Sequence, residues 1–377
     1  MKNLLLTLLC LLVLQASSGQ GAPAAKIDKA LPVRGLAISA PSAKGLDQFC
    51  KFIEEELAPA HFNLLILRVD WNYAYESHPE LRDPNPLTKA DVKKIVDVCR
   101  RHNIRIAPQI NLLGHQSWAA TTLNLLRVYP EFDETPHIKT ADYTGWPNAH
   151  GLYCKSYCPL HPGVHKVVFA LVDELMDAFE AQYFHAGMDE VFYIGSDSCE
   201  RCRGKDKAAL FAGEVTKIRD HLALKNRRLM IWGDRLLDGA TTGLGEWEAS
   251  MNNTHRAIDM IPKDVFICDW HYERADLTAV YFASKGFFVA TCPWRNPDIA
   301  ALQLKNMVDF RQQSTQAMRE RFHGIIQTVW SGADGFLRAY YNPETYALPA
   351  NATRQQQQQN GDARSLKRMM EEFKKLN

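Results

Sequence analysis

The feature that most constrains the fold is a repeated alternation of short apolar runs with amphipathic stretches. Eight runs rich in β-branched and aromatic residues alternate with stretches whose apolar residues recur with the period of a helix. The expected strands cover 33–39, 63–69, 104–110, 183–187, 228–232, 265–270, 287–291 and 324–330. Eight such units in roughly 300 residues predict a (β/α)₈ TIM barrel, which typically needs about 250 residues plus insertions. A doubly wound sheet is the alternative.

The N-terminus has the layout of a secretory signal peptide. Lys2 precedes an apolar run over 4–14, and small and polar residues follow at 16–19. The run is too short to span a bilayer, and no later run is long enough. We therefore expect a signal peptide over 1–20, and a secreted or periplasmic protein without a membrane span.

The remainder divides into a barrel and a tail. We expect the TIM-barrel domain over 21–350, followed over 351–377 by a polar tract and a C-terminal helix. The glutamine-rich composition of the tract predicts that this tail is a solvated appendage. The longest insertion, 111–159, follows the third strand and is expected to roof the pocket, with a plain surface excursion as the alternative. Its aromatic residues are Trp118, Tyr143, Trp146 and Tyr153.

The charge balance bears on the class of partner. The 377 residues hold 44 Lys and Arg against 43 Asp and Glu, so no net field favours nucleic acid or an anionic membrane. A neutral small molecule is the simpler expectation for the ligand.

Four cysteines form two close pairs on either side of the fourth strand, Cys154 with Cys158 and Cys199 with Cys202. An exported protein can hold disulfides, and the same spacing could hold a Cys₄ metal ion. Both alternatives stay open. We predict that the four cysteines converge beside the pocket and tie the loop after the third strand to the segment after the fourth.

The fourth strand ends in two consecutive carboxylates, Asp189 and Glu190. Charges at the end of an apolar strand are expensive to bury without a purpose or a partner. Consecutive residues of an ideal strand point to opposite faces, so both carboxylates can enter one pocket only if the backbone turns at the strand end. The alternative is that one of them caps a helix or pairs with an arginine.

Other strand ends carry aromatic and polar residues of a matching kind. Aromatic rings stack on sugar faces, and carboxylates accept hydrogen bonds from sugar hydroxyls. These strand ends therefore predict a sugar pocket at the C-terminal rim of the barrel, with a glycan or oligosaccharide as the partner. The residues concerned are Asp70, His115, Trp232, Asp234, Trp270, Tyr272 and Trp330.

Two segments resemble a known family. His185-Ala-Gly-Met-Asp-Glu190 is similar to the His-x-Gly-Gly-Asp-Glu signature of glycoside hydrolase family 20, the β-N-acetylhexosaminidases. Pro108-Gln-Ile-Asn-Leu-Leu-Gly-His115 is similar to the family's Pro-Glu-Ile-Asp-x-Pro-Gly-His segment. The resemblance covers roughly residues 33–345.

The resemblance implies a mechanism and roles. Glu190 would be the general acid and base, and Asp189 would orient the 2-acetamido group of a terminal β-linked N-acetylhexosamine. The substrate supplies the nucleophile in this family, so the configuration is retained, and no cofactor or catalytic metal is needed. The implied sugar-binding residues are Trp232, Trp270 and Trp330 as walls, Asp234, Asp70 and His115 as polar contacts, and Tyr272 as donor to the acetamido oxygen.

The sequence also departs from the family pattern. Met188 replaces the second Gly of the signature, and Gln109 and Asn111 replace acidic residues. The segment 39–42 lacks the usual Arg, and Gly332 stands where a carboxylate is usual, so we expect a pocket that tolerates substituents on the outer hydroxyls. The alternatives are a hydrolase acting on a different or decorated sugar, a non-catalytic carbohydrate-binding protein, and a zinc protein. Retention of the acidic pair argues against loss of catalysis.

Overall fold

Eight parallel strands close into a barrel in the computed structural model, which describes residues 26–140, 154–342, 348 and 351–377. The predicted signal peptide lies outside the described residues, as do Tyr143, Trp146 and Tyr153 of the predicted roof. The barrel strands are β1 (Val33–Ser39), β2 (Leu64–Arg68), β3 (Arg105–Leu112), β4 (Tyr183–Gly187), β5 (Arg228–Trp232), β6 (Phe266–Trp270), β7 (Phe288–Cys292) and β8 (Phe322–Thr328).

Each strand pairs in parallel with its neighbour in the chain, and β8 pairs with β1. This closure leaves the barrel without a free edge, which rules out the doubly wound alternative. The predicted TIM barrel is confirmed, and all eight predicted strands are present with ends within two residues of the expected ones. A small hairpin of Ser117–Trp118 and Thr121–Thr122 lies in the insertion after β3.

Helices follow the strands and cover the barrel. None of the helices in the described ranges combines the length and apolar character needed to cross a bilayer. The α-helices are α1 (Lys26–Ala30), α2 (Leu46–Phe52), α3 (Lys89–Arg101), α4 (Asn124–Val128), α5 (Val164–Ala178), α6 (Lys207–Ala223), α7 (Gly239–Thr242), α8 (Gly245–Glu248), α9 (Thr278–Ser284), α10 (Pro297–Gln313), α11 (Gln316–Arg319), α12 (Ala333–Tyr341) and α13 (Arg354–Leu376).

Strand alternation divides the core into two layers. On β5, Met230 and Trp232 belong to the cluster inside the barrel, whereas Leu229 and Ile231 belong to the cluster between strands and helices. Side chains on a strand alternate between its faces, so every buried strand serves both layers. Complete burial of one such aliphatic side chain stabilises the fold by about 1.5–3 kcal/mol. The same alternation turns Trp270 of β6 into the barrel interior.

The C-terminal segment packs on the barrel, so its interpretation as a solvated appendage is wrong. Helix α13 begins in the glutamine tract, where Thr353 and Gln356 form a capping box. It contacts α10 and α12 and buries a stripe that includes Leu366, Met369 and Phe373. The spacing of these apolar residues matches one face of a helix, while Gln355, Gln356 and Gln357 of the first turn lie toward solvent.

Candidate active site

A cavity of about 720 Å³ opens where the C-terminal ends of the barrel strands meet their loops. Six of the predicted site residues line it: His115, Asp189, Glu190, Trp270, Tyr272 and Trp330. Trp118 of the predicted roof also lines it, with its ring stacked on that of His115 at 6.0 Å between centroids.

The backbone turns sharply at the end of β4, as two neighbouring carboxylates in one cavity require. Gly187, Met188 and Glu190 all have left-handed backbone, with φ of 68°, 69° and 49°. A Cβ on Gly187 would lie 2.6 Å from Oδ1 of Asn111, so glycine is needed there for space as well as for conformation. The turn brings the carboxylates of Asp189 and Glu190 into the same cavity.

Met188 occupies a left-handed position where the family signature has glycine. Left-handed backbone costs a residue with a side chain about 1–2 kcal/mol. The Met188 side chain is buried in the core, and burial of such a side chain stabilises by about 1.5–3 kcal/mol. Burial of the Met188 side chain therefore offsets the free-energy cost of its left-handed backbone.

His115 joins the two carboxylates. Its Nε2 lies 3.1 Å from Oδ2 of Asp189 and 3.1 Å from Oε2 of Glu190, and its Nδ1 lies 3.2 Å from Sγ of Cys154. Burial opposes a charged imidazole, but the charge and hydrogen bond of Asp189 together with the contact to Cys154 outweigh burial and hold the pKa of His115 well above its usual value. The ring is therefore a cation at neutral pH.

The contact with His115 lowers the pKa of Asp189, whereas it raises that of His115. Burial favours the protonated carboxyl, but the charge and the hydrogen bond of His115 outweigh burial and lower the pKa of Asp189. Asp189 is therefore an anion at neutral pH. Its Oδ2 contacts His115, while its buried Oδ1 has no hydrogen-bond partner among the residues that the structure describes.

Asp234 lies beneath the acidic pair. Its Oδ2 accepts hydrogen bonds from the backbone N–H of Glu190 at 2.9 Å and from Nε of Arg235 at 2.7 Å, and its Oδ1 accepts one from Nε1 of Trp270 at 3.3 Å. Burial raises the pKa of Asp234 to about 6. The structure thus gives Asp234 contacts that position Glu190 and Trp270, and it is not among the side chains that line the cavity.

Four aromatic side chains that contact one another form one wall of the cavity, those of Trp270, Tyr272, Trp294 and Trp330. The ring of Tyr272 lies 4.8 Å from that of Trp270 and 5.0 Å from that of Trp294. Nε1 of Trp330 donates a hydrogen bond of 2.8 Å to the hydroxyl oxygen of Tyr272. Burial holds the pKa of Tyr272 well above its usual value. The phenol therefore stays protonated and can donate a hydrogen bond to a ligand.

Two other predicted sugar contacts lie behind the lining of the cavity. Trp232 is only 1% exposed, and its ring packs 5.7 Å from that of Trp330. Asp70 accepts a hydrogen bond of 2.8 Å from the backbone N–H of Asn111 and lies 3.6 Å from Nε of Arg68. Arg68 and Asn111 both line the cavity, so Asp70 acts through them. A strand-end position identified the correct rim but not the depth of each side chain.

Some lining residues had a sequence signal that the prediction did not use. Arg68 ends β2, two positions before Asp70, and its guanidinium lies 5.3 Å from the ring of Trp330. Trp294 follows the end of β7 by two positions. The strand-end pattern that identified Trp270 applies to both.

Glu248 enters the cavity from the end of the short helix α8, which follows β5. It contacts His271, whose Nδ1 lies 2.9 Å from Oε2 of Glu248 and whose Nε2 lies 3.1 Å from Oδ1 of Asp269. Burial opposes protonation, but Asp269 and Glu248 raise the pKa of His271 to about 10. The contact with His271 holds the Glu248 carboxylate in place at the cavity, which the preceding residue Trp247 also lines.

Arg354 and Gln358 reach the cavity from α13 and had no local sequence signal. The helix is anchored near them by Asp362, whose Oδ2 accepts a hydrogen bond of 3.2 Å from the backbone N–H of Ser331, next to Trp330. The cavity therefore carries two arginines, Arg68 and Arg354, although the segment after β1 supplies none.

The predicted convergence of four cysteines is wrong. Cys154 lies in the site beside His115, with its Sγ 4.0 Å from Oε2 of Glu190. Cys158, Cys199 and Cys202 gather separately, around Glu134. Cys154 contacts His115, whereas Cys158 contacts Cys199 and Cys202, so the two cysteines that are close in sequence belong to different clusters. All four are free thiols in the structure.

Comparisons with known proteins agree with this architecture. Residues 71–332 match the model of the catalytic domain of glycosyl hydrolase family 20. Bovine hexosaminidase D is 20% identical over 291 residues, which cover 73% of this chain and 77% of that protein. A β-hexosaminidase of Akkermansia muciniphila is 30% identical over 124 residues, 33% of this chain and 23% of that protein.

Solved structures share the fold. The chitobiase of Flavobacterium johnsoniae superposes with a TM-score of 0.60 at 16% identity over 91% of this chain, which spans 50% of that structure. A β-N-acetylhexosaminidase from Bacteroides fragilis gives a TM-score of 0.59 at 15% identity over 88% of this chain and 66% of that one. At these identities the likeness concerns the fold.

Proposed function

The chain belongs to glycosyl hydrolase family 20 and is a glycosidase, and from this premise we propose that it removes terminal β-linked N-acetylhexosamine from glycans. We propose that the configuration is retained and that the substrate's acetamido group is the nucleophile. The observation that carries this proposal is the state of Asp189, an anion beside Glu190 whose buried Oδ1 has no partner among the described residues.

An unpartnered acceptor in a buried carboxylate is costly unless a ligand satisfies it. The N–H of a 2-acetamido group is a donor of the right kind, and it lies on the sugar carbon next to the reacting centre. Asp189 and Glu190 are consecutive residues joined through His115, so they do not flank a glycosidic bond as the two carboxylates of ordinary glycosidases do, about 5–9.5 Å apart. This arrangement favours a nucleophile supplied by the substrate.

The steps follow from these positions. Glu190 donates its proton to the glycosidic oxygen as the bond to the anomeric carbon breaks. The acetamido oxygen attacks the anomeric carbon, and the positive oxazolinium ring that forms is stabilised by the anionic Asp189. Water then attacks the same carbon and gives its proton to the Glu190 carboxylate, which opens the ring and restores the acetamido group.

Tyr272 and His115 support these steps. The Tyr272 hydroxyl keeps its proton and accepts from Trp330, so it can donate to the acetamido oxygen and orient it for attack. His115 keeps Asp189 ionised, because protonation of Asp189 would remove the partner of a buried cation. The rings of Trp270 and Trp330 supply flat surfaces against which a pyranose can stack.

A decorated sugar is the second candidate substrate, and one observation favours it. Arg354 enters the cavity from α13, outside the segment 71–332 that matches the family, and Arg68 enters from β2. Two guanidinium groups provide hydrogen-bond donors and positive charge for substituents on the outer hydroxyls. We also propose that the protein is exported, on the strength of the N-terminal sequence pattern.

A panel of aryl β-glycosides with and without an N-acetyl group tests the mechanism. We expect turnover only of the N-acetylated sugars, a product of retained configuration by NMR, and inhibition by a thiazoline that mimics the oxazolinium intermediate. Asp189→Asn should lose turnover and still bind sugar, whereas the exposed-site control Asp47→Asn should keep full activity. Efficient cleavage of a glycoside without the acetamido group, unaffected by the thiazoline, would reject the mechanism and favour a different sugar.

A further inference from the structure

We propose that Glu134, Cys158, Cys199 and Cys202 bind a zinc ion that joins the loop after β3 to the loop after β4. These four residues, the zinc cluster, lie apart from the catalytic carboxylates and take no part in the reaction. The proposal does not depend on the identity of the sugar, and its test does not use turnover.

The ligand atoms of the zinc cluster have the spacing that one metal ion requires. Sγ of Cys158 lies 3.4 Å from Sγ of Cys202 and 3.5 Å from Sγ of Cys199, and all four ligand atoms lie within 4.8 Å of one another. Tetrahedral zinc with bonds of about 2.3 Å to sulfur holds its sulfurs about 3.8 Å apart. Only small shifts of the side chains are needed to admit the ion.

Backbone contacts on the β3 side place two ligands together. Residues 132–134 run beside residues 156–158, with the N–H of Glu134 bonded to the carbonyl of Ser156 at 3.0 Å and the N–H of Cys158 bonded to the carbonyl of Phe132 at 2.6 Å. This pairing brings the side chains of Glu134 and Cys158 together although 24 positions separate them in the sequence.

On the β4 side, a tight turn places the other two ligands together. The N–H groups of Cys202 and Arg203 both bond to the carbonyl of Cys199, at 3.1 and 2.8 Å. Two cysteines separated by two residues on such a turn form half of many structural zinc sites. Each side of the cluster thus supplies two ligands.

Glu134 provides an independent indication that a cation belongs here. It is fully buried, and its Oε1 accepts a hydrogen bond of 2.9 Å from the backbone N–H of Ser196. Its Oε2 is buried and has no nitrogen or oxygen donor among the described residues, and the groups beside the carboxylate are the thiols of Cys199 and Cys202. A thiol is a weak donor for a buried carboxylate, whereas a metal ion would satisfy it fully. The bond to Ser196 then orients the ligand from behind.

A disulfide accounts for less of the cluster. It would join two of the three sulfurs and leave the third thiol and the Glu134 carboxylate buried without a role. Cys154 cannot supply a fourth sulfur, because it contacts His115. Three thiolates with a carboxylate are a donor set suited to zinc, and four protein ligands close the coordination shell. A closed shell indicates a structural ion and not a catalytic one.

Metal analysis of the full-length chain tests the proposal. We expect about one zinc per chain, by elemental mass spectrometry, in protein purified without chelator from zinc-supplemented cells. Cys199→Ser should lose the zinc, whereas Cys99→Ser, which changes a buried cysteine on α3 outside the cluster, should keep it. Reconstitution of metal-stripped protein with Co²⁺ should give the intense visible bands of tetrahedral cobalt bound to thiolate, and the Cys199 variant should lack them.

Thermal unfolding gives a second measurement. A strong chelator should lower the Tm of the wild-type chain, and zinc should restore it, because binding to the folded state stabilises that state. If Cys199→Ser does not fold, Glu134→Gln serves in its place: it keeps all three thiols and should show weakened zinc binding while retaining the cobalt–thiolate bands. A chain that stays free of metal with either ion added, or a disulfide between any two of the three cysteines, overturns the proposal.

Discussion

Nε1 of Trp330 donates a hydrogen bond to the hydroxyl oxygen of Tyr272 at 2.8 Å, across the cavity rim from the end of β8 to the end of β6. Because Tyr272 is the acceptor in this bond, its own O–H remains available to donate a hydrogen bond to a ligand. The bond also holds the hydroxyl oxygen in position. A donor held in place before the substrate arrives needs no reorganisation during the reaction.

Tyr272→Phe should therefore impair catalysis on N-acetylated substrates. Removal of one such donor typically lowers turnover by about 10²–10³-fold. The loss should appear mainly in kcat, because the contact strengthens as the acetamido oxygen attacks. Steady-state kinetics on an aryl N-acetylhexosaminide check this, with Tyr281→Phe on the exposed face of α9 as the control. Unchanged kcat in Tyr272→Phe would remove the tyrosine from the mechanism.

Glu190→Gln should lose general-acid catalysis. The loss should be about 10²–10⁴-fold for a natural glycan, whose leaving group needs a proton. An aryl glycoside with a good leaving group should be affected less in its first step. Comparing the two substrates in the same variant separates loss of the acid from general damage, and Glu371→Gln on the exposed side of α13 is the control. Full activity of Glu190→Gln on a natural glycan would contradict the assignment.

Gly187→Ala should damage both stability and activity. The new Cβ would lie 2.6 Å from Oδ1 of Asn111, and the backbone has a φ of 68°. Left-handed backbone alone costs about 1–2 kcal/mol, and displacement of Asn111 adds to it. Denaturant titration should show the loss. Gly213→Ala on α6, where a Cβ meets no atom within 4 Å, should instead be neutral or stabilising, and equal effects of the two changes would refute the steric argument.

Asp362 should make stability depend on pH. Burial raises the pKa of Asp362 to about 7, against about 3.9 in an unfolded chain. The folded state therefore holds this proton more tightly, so the stabilising contribution is complete below about pH 4 and is lost as pH rises toward 7. About 1.4 kcal/mol per pKa unit sets an upper bound of roughly 4 kcal/mol.

Asp362→Asn should remove that loss, since the amide stays neutral. The free energy of unfolding of the variant minus that of the wild type should be larger at pH 8 than at pH 5, so the variant gains stability relative to the wild type as pH rises. Urea titrations at the two pH values measure this difference, in which the titration of all other groups cancels. A difference that is the same at both pH values would show that Asp362 is ionised without penalty.

Local sequence determined the fold class and the strand that carries the chemistry. The alternation of apolar residues is set within a few positions, so the run 228–232 identifies β5 whatever packs against it. The acidic pair after β4 was visible for the same reason, and so was the requirement for a turn. Chain neighbours pair with each other around a barrel, so finding the strand ends also located the rim of the cavity.

Only the tertiary structure decided which of those side chains reach the cavity and which residues meet from distant segments. Trp232 and Trp270 end neighbouring strands and face inward, yet Trp330 covers the first while the second lines the cavity. Arg354 enters from α13, and Cys158 meets Cys202 and not Cys154. The reason is physical: period and turn chemistry act between near neighbours, whereas depth and docking depend on contacts between residues far apart in the chain, which no local pattern encodes.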